Sequence, residues 1–209
     1  LDDDLFYLIG TPRGERHDFD VLEKSLPEDG SVNLYNVTLE RGGFTVVGPN
    51  ARALLEKLVD ADLSNTAFPW MTSQTVTAGL ASDVRLMRVN YEGELGWELY
   101  HPINYNLHLF DEITKAGSEL GLKHCGYRAI ESLRLEKSYR AMYRDMDVEH
   151  TALESGLDRF ITFDKDIFVG KDALLDQQKQ DLGQRLVTLQ VETVDADAYM
   201  NEAVYQDGQ

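Results

Sequence analysis

Residues 84–100, VRLMRVNYEGELGWELY, decide how this chain is read. The stretch predicts a β-hairpin. With Gly93, Glu94, Leu95 and Gly96 as a four-residue loop, the pairing sets Tyr91 across from Glu98, both side chains on one face of the ladder. A phenol ring beside a carboxylate suits a flat heterocycle with two hydrogen-bond donors on one edge: an ionised carboxylate accepts both while the ring packs on the phenol. The same spacing also describes a solvated cross-strand pair, because Tyr and Trp are good strand residues. On composition alone that plainer reading is the stronger.

Working outward, Phe6 to Ile9 reads as a short apolar strand, and Asp18 caps a helix to Leu26 that Pro27 and Gly30 close. Val32 to Thr38 alternates as a strand. Another, Phe44 to Val47, follows a Gly42-Gly43 turn. Gly48-Pro49-Asn50 then opens a helix with an apolar stripe of Leu54, Leu55 and Leu58. Ala67 to Thr72, AFPWMT, is a proline-centred loop whose Trp70 is assigned to the core. Past the hairpin, Asn104 caps a helix with Leu107, Phe110, Ile113, Gly117 and Leu120 at helical spacing, ending at Gly121. A long charged helix runs from Gly126 to about Tyr143, with Glu136 and Arg140 spaced as an i,i+4 pair. Asp158 to Phe163 and Arg185 to Val194 read as strands, and Lys171 to Lys179 as a helix. The mixture lacks regular βαβ alternation, which predicts an α+β fold of mixed, largely antiparallel sheets with flanking helices. A composition shift after Gly183 divides the chain into a domain of residues 1–182 and the beginning of an all-β unit at 183–209.

The chain has 209 residues, 43% hydrophobic and 27% charged, a globular composition long enough to bury a core. A net charge of −17 argues against a nucleic-acid partner, since phosphate binding needs clustered Lys and Arg. One cysteine, Cys125, excludes an internal disulfide and a multi-cysteine zinc site, and fits a reducing cytoplasm or a mitochondrial matrix. Cytoplasmic location is the expectation. The N-terminus, LDDDLFYL, lacks the pattern of a signal peptide, and no run of 18 apolar residues points to a membrane. With no initiator methionine and an end at VYQDGQ where a hairpin should turn, the chain reads as a piece of a longer protein, truncated at its N-terminus.

YEGELGWELY resembles the signature of the aminomethyltransferase family, which includes the glycine-cleavage T-protein and the folate-binding halves of dimethylglycine and sarcosine dehydrogenases. The likeness extends through GYRAIESLRLEKSYR at Gly126 to Arg140, Asp145, ESGL at Glu154 to Leu157 and KDIFVGKDAL at Lys165 to Leu174. Ordered, separated blocks are more specific than any one of them, and SLRLEKSYR and GKDAL look closer to the dehydrogenases. The resemblance implies tetrahydrofolate as cofactor, a one-carbon transfer from a small methylamine-type substrate, a flavin domain upstream in the same polypeptide, and a β-barrel for the C-terminal unit. It implies folate-binding roles for Tyr91, Glu98 and Arg128. Arg128 lies near the start of a helix, where backbone N–H groups and the macrodipole favour an anion, and a carboxylate of the glutamyl tail is a sensible target for its fork. From the residues alone, that reading and plain pairing along the helix are even; Arg134 is read as structural. The family's catalytic carboxylate is an aspartate in an Asp-Asp segment upstream of the strand matching Phe6 to Ile9. Asp2, Asp3 and Asp4 fall too close to that strand, so no catalytic residue is assigned and the fragment is read as having lost it.

Other chemistries find less support. His17, His101, His108, His124 and His150 form no HxH or HxxxH pair, so no metal site is expected, and they read as surface or satisfied polar groups. No nucleophile elbow or phosphate-binding glycine loop occurs. Two alternatives within the fold are a folate-dependent demethylase of a sulfonium substrate and a folate-binding protein without transfer activity; the second type carries a lysine-glycine-cysteine-tyrosine signature, whereas Cys125 lies in KHCGY.

Overall fold

A computed structural model describes residues 3–195 and 202–205; Asp2 and the Gln206 to Gln209 end of the expected terminal hairpin lie outside them. The chain divides into two compact units, residues 1–142 and 143–209.

The first unit is built on a four-stranded sheet in the order β1-β4-β3-β2, with β1 at Arg41–Val47, β2 at Ser73–Ala78, β3 at Ala81–Met87 and β4 at Gly96–Pro102. Every pairing is antiparallel. Strand β4 shows the alternation that a half-buried strand requires: Trp97, Leu99 and His101 are fully buried, while Glu98 and Tyr100 between them are half-buried on the other face. Against the buried face pack helix α2 (Ala51–Leu55) and helix α3 (Asn106–Gly117), adding Leu54, Leu55, Leu109 and Ile113 to a core that also holds Val84, Leu86, Leu63 and Phe68. Each fully buried leucine contributes roughly 1.5–3 kcal/mol, so this cluster supplies the unit's main stabilisation.

Glycines set the close approaches. A Cβ on Gly42 would lie 2.5 Å from His101 Cε1 and 2.8 Å from Asn106 Oδ1, so the Gly42-Gly43 pair is not a turn but the part of β1 that admits the buried His101 ring. That ring stacks on Phe44 at 5.3 Å. Gly117 similarly lets α3 approach Leu54 and Leu122.

Helix α1 spans Glu15–Lys24, starting earlier than the cap expected at Asp18. Phe6 to Ile9 and Val32 to Thr38 form no ladder; in the second stretch Asn36 Oδ1 accepts the Thr38 N–H at 2.9 Å, a local bond that competes with strand pairing. Phe68, not Trp70, enters the core, and Trp70 is 64% exposed. The buried stripe of α3 is Leu109, Ile113 and Gly117, which turns Leu107 and Phe110 outward. Helix α4 is Tyr127–Glu136, shorter than expected because the chain leaves it through Ser138 at φ 57°. The Arg134 guanidinium bonds the Tyr139 carbonyl at 2.9 Å across that exit, and Arg140 falls beyond the helix, out of i,i+4 register with Glu136.

In the second unit, Asp158–Phe160 is a 3-10 turn rather than a strand, α5 occupies Lys171–Gln178 as expected, and residues 185–194 have no regular structure. Thr151 donates its N–H and hydroxyl to Glu154 Oε2, closing the turn that carries the ESGL block. No helix among the described residues is long and apolar enough to cross a membrane.

Candidate ligand site

The register of β3 and β4 moves the expected pair. Met87 lies opposite Glu98, Leu86 opposite Leu99 and Arg85 opposite Tyr100, so the ladder ends before Tyr91. Residues 88–95 form a longer connection than the four-residue loop the sequence suggested, and Tyr91 sits within it. Bends replace pairing there because the buried Glu92 turns its carboxylate back onto the Tyr91 N–H, at 3.1 Å.

The phenol that meets Glu98 is Tyr100. Its hydroxyl donates to Glu98 Oε2 at 2.7 Å, and the pair stands on the sheet face away from the core. Residues two apart on a strand share a face, so the spacing Glu98-Leu99-Tyr100 carries the signal that sequence reasoning passed over. Tyr7 closes one side, its ring 5.9 Å from that of Tyr100 in an edge arrangement. Opposite, Gly43 of β1 leaves the space over Tyr100 open, since even an added Cβ would only touch the ring at 3.5 Å.

The electrostatics follow from this packing. Burial pushes the Glu98 carboxyl above its ordinary value; the Tyr100 hydrogen bond opposes the rise and the charge of Glu92 adds to it. Burial, reinforced by the bond to Glu98, holds the Tyr100 phenol far above its usual range, so it remains a donor. Glu98 makes no other hydrogen bond or ion pair with a described residue. One carboxylate oxygen is thus fixed by the phenol and the other is left to accept.

Arg128 is the second residue of α4, whose N-cap, Gly126, offers no side-chain acceptor to the first-turn N–H groups. Its side chain is exposed and has no partner among the described residues. No hydrogen bond or ion pair joins it to Glu98. Arg134 behaves as expected, buried and paired with Glu131 at 2.7 Å. Cys125, just before the helix, is a free and exposed thiol. Asp3 and Asp4 lie in an exposed turn. Among the histidines, His101 departs from expectation: it is fully buried, with Nε2 lacking a hydrogen-bond partner.

The chain is similar to human mitochondrial dimethylglycine dehydrogenase, 37% identical over 205 residues, which cover 97% of this chain and 24% of that protein. It is 34% identical to an aminomethyltransferase of Thermoanaerobacter sp. (strain X514) over 187 residues, 88% of this chain and 50% of that one. Its fold matches the glycine cleavage system aminomethyltransferase T from Bartonella henselae with a TM-score of 0.64 and 25% identity, over 79% of this chain and 43% of that structure. The chain therefore spans a quarter to a half of these relatives' lengths. With residues 1–165 matching the family described as GCVT N-terminal domain, this protein is a member of that aminomethyltransferase family.

Proposed function

We propose that the chain is a tetrahydrofolate-binding domain for aminomethyl transfer, part of a dimethylglycine or sarcosine dehydrogenase-like protein. The observation that carries the reading is the half-buried Glu98 carboxylate, bonded on one oxygen by Tyr100 and open on the other, on the outer sheet face of a family member. That arrangement fits the donor edge of a reduced pterin: the ionised carboxylate receives the edge, and an aromatic surface flanks the ring. Tetrahydrofolate supplies the nitrogens that accept the one-carbon unit. The chain's own residues hold and orient it. Tyr100 aligns the Glu98 carboxylate, and Tyr91 contributes from the 88–95 connection, whose Glu92 acts on Glu98 electrostatically. Arg128, in the first turn of α4, receives a carboxylate of the glutamyl tail.

In this reading the one-carbon donor is a small methylated amine processed by a flavin domain upstream in the same polypeptide, a reading supported by the dehydrogenase relative of greater length. The folate-binding domain runs to residue 182, and residues 183–209 begin a C-terminal barrel. Its setting is a soluble compartment, cytoplasm or mitochondrial matrix.

Calorimetric titration of tetrahydrofolate into the chain tests the assignment. Wild type is expected to bind, and Glu98→Gln to lose about 1.5–3 kcal/mol, as for a charge-assisted hydrogen bond. Equal affinity of the two proteins removes Glu98 from the site. Arg128→Ala is expected to weaken polyglutamyl folate more than a pterin without the tail; equal losses return Arg128 to the surface.

A further inference from the structure

On the core side of β4, away from Glu98, the buried ring of Trp97 carries two guanidinium groups. Arg52 of α2 and Arg88, just past β3, have their Cζ atoms 5.7 and 5.6 Å from its centroid. Both donate to a single oxygen, Asn65 Oδ1, at 2.6 and 2.8 Å. Arg88 also donates to the Phe68 carbonyl at 2.6 Å. A shared acceptor draws two like charges together, and burial and the charge of Arg52 both depress the Arg88 guanidinium.

Packing on an indole explains the stacking. It does not explain the missing counterion. Neither arginine forms an ion pair among the described residues, in a chain whose net charge is −17. A neutral amide oxygen leaves both cations unneutralised. Two further donors at the same place are also unused: Arg52 Nε and Trp97 Nε1 are buried without an acceptor. The backbone holds the group in position, since Met71 N–H donates to the Arg88 carbonyl at 3.1 Å and Arg88 N–H to that of Thr72 at 2.9 Å. Met71 accepts a left-handed φ of 64° in this loop, a conformation that costs a side-chain-bearing residue energy. Asn65 is exposed and both arginines are only half-buried, so the cluster extends from the buried indole to the surface.

We infer that Arg52, Arg88 and Asn65 form a receptor for an oxyanion, a carboxylate or a phosphate group, set over Trp97 and separate from the Glu98 face. Two adjacent guanidinium forks are matched to the paired oxygens of either group. The bound anion supplies the counterion that the fold omits.

The test uses the 209-residue chain carrying Trp70→Phe, which leaves Trp97 as its one tryptophan. Sodium phosphate and sodium glutarate are titrated against sodium chloride at matched ionic strength and neutral pH, following indole emission. The expected result is a saturable change with phosphate or glutarate at millimolar concentration and none with chloride. Tighter binding of glutarate assigns a carboxylate-bearing partner, and tighter binding of phosphate a phosphate ester. Arg52→Gln and Arg88→Gln are each expected to raise the half-saturation point about tenfold, the loss of one charge-assisted hydrogen bond. Should a glutamine variant fail to melt cooperatively, Arg88→Lys replaces it, keeping the charge and losing the fork. Responses to both anions that coincide with chloride, or a saturable response that no variant changes, overturn the inference.

Discussion

Glu98 is poised between opposing influences, and Tyr100 decides where it settles. Burial and Glu92 raise its pKa above the ordinary 4.5, while the phenol's hydrogen bond lowers it. A pterin edge with two donors needs the ionised form. Binding is therefore full above the raised pKa and is lost as the pH falls through it, with a midpoint above 4.5. Tyr100→Phe removes the opposing influence, so the midpoint moves to still higher pH, and affinity at neutral pH falls by about 1 kcal/mol. Calorimetry across this range on wild type and Tyr100→Phe checks the sign; coincident midpoints would remove Tyr100 from its orienting role. The fold responds to the same shift. Below the unfolded carboxylate's pKa, Glu98 is neutral in both states; as the pH rises through its folded value, the ionised group costs stability. At this scale the acid was legible in the sequence and its neighbour was not. Pairing Tyr91 with Glu98 requires the ladder to run to Glu92, but the ladder ends at Met87, where a connection of unforeseen length takes over.

Elements with strong local punctuation were read well from sequence. Gly48-Pro49-Asn50 opens α2, and Gly121 ends the helical run at φ 76°. Those whose form depends on tertiary contacts were misread. Val32 to Thr38 has strand-like alternation but finds no neighbouring edge, and Ser73–Ala78, left without an assignment from sequence, becomes β2 by pairing with β3. The glycines of β1 were taken for a turn because their purpose lies across the sheet, in the ring of His101. Gly42→Ala tests this directly. Its methyl group must displace His101 or Asn106, and chemical denaturation is expected to show a loss of about 1–3 kcal/mol, the usual cost of overpacking. A midpoint within error of wild type would show that His101 repacks freely.

For the whole molecule, the antiparallel α+β character was legible from the absence of βαβ repetition. Contact density groups the chain into units of residues 1–142 and 143–209, a grouping that composition does not encode. All of the buried core cluster lies between Val46 and Ile113, within the first unit. A fragment of residues 1–142 is therefore expected to melt cooperatively by circular dichroism, since its apolar burial within that cluster is complete. A gradual, featureless melt would mean that the second unit is needed for that core to form. The solitary thiol at Cys125 stands immediately ahead of the helix that presents Arg128. A maleimide dye attached there would turn the leading end of that helix into an optical gauge, reporting arrival of a glutamyl chain in the native sequence without altering any other residue.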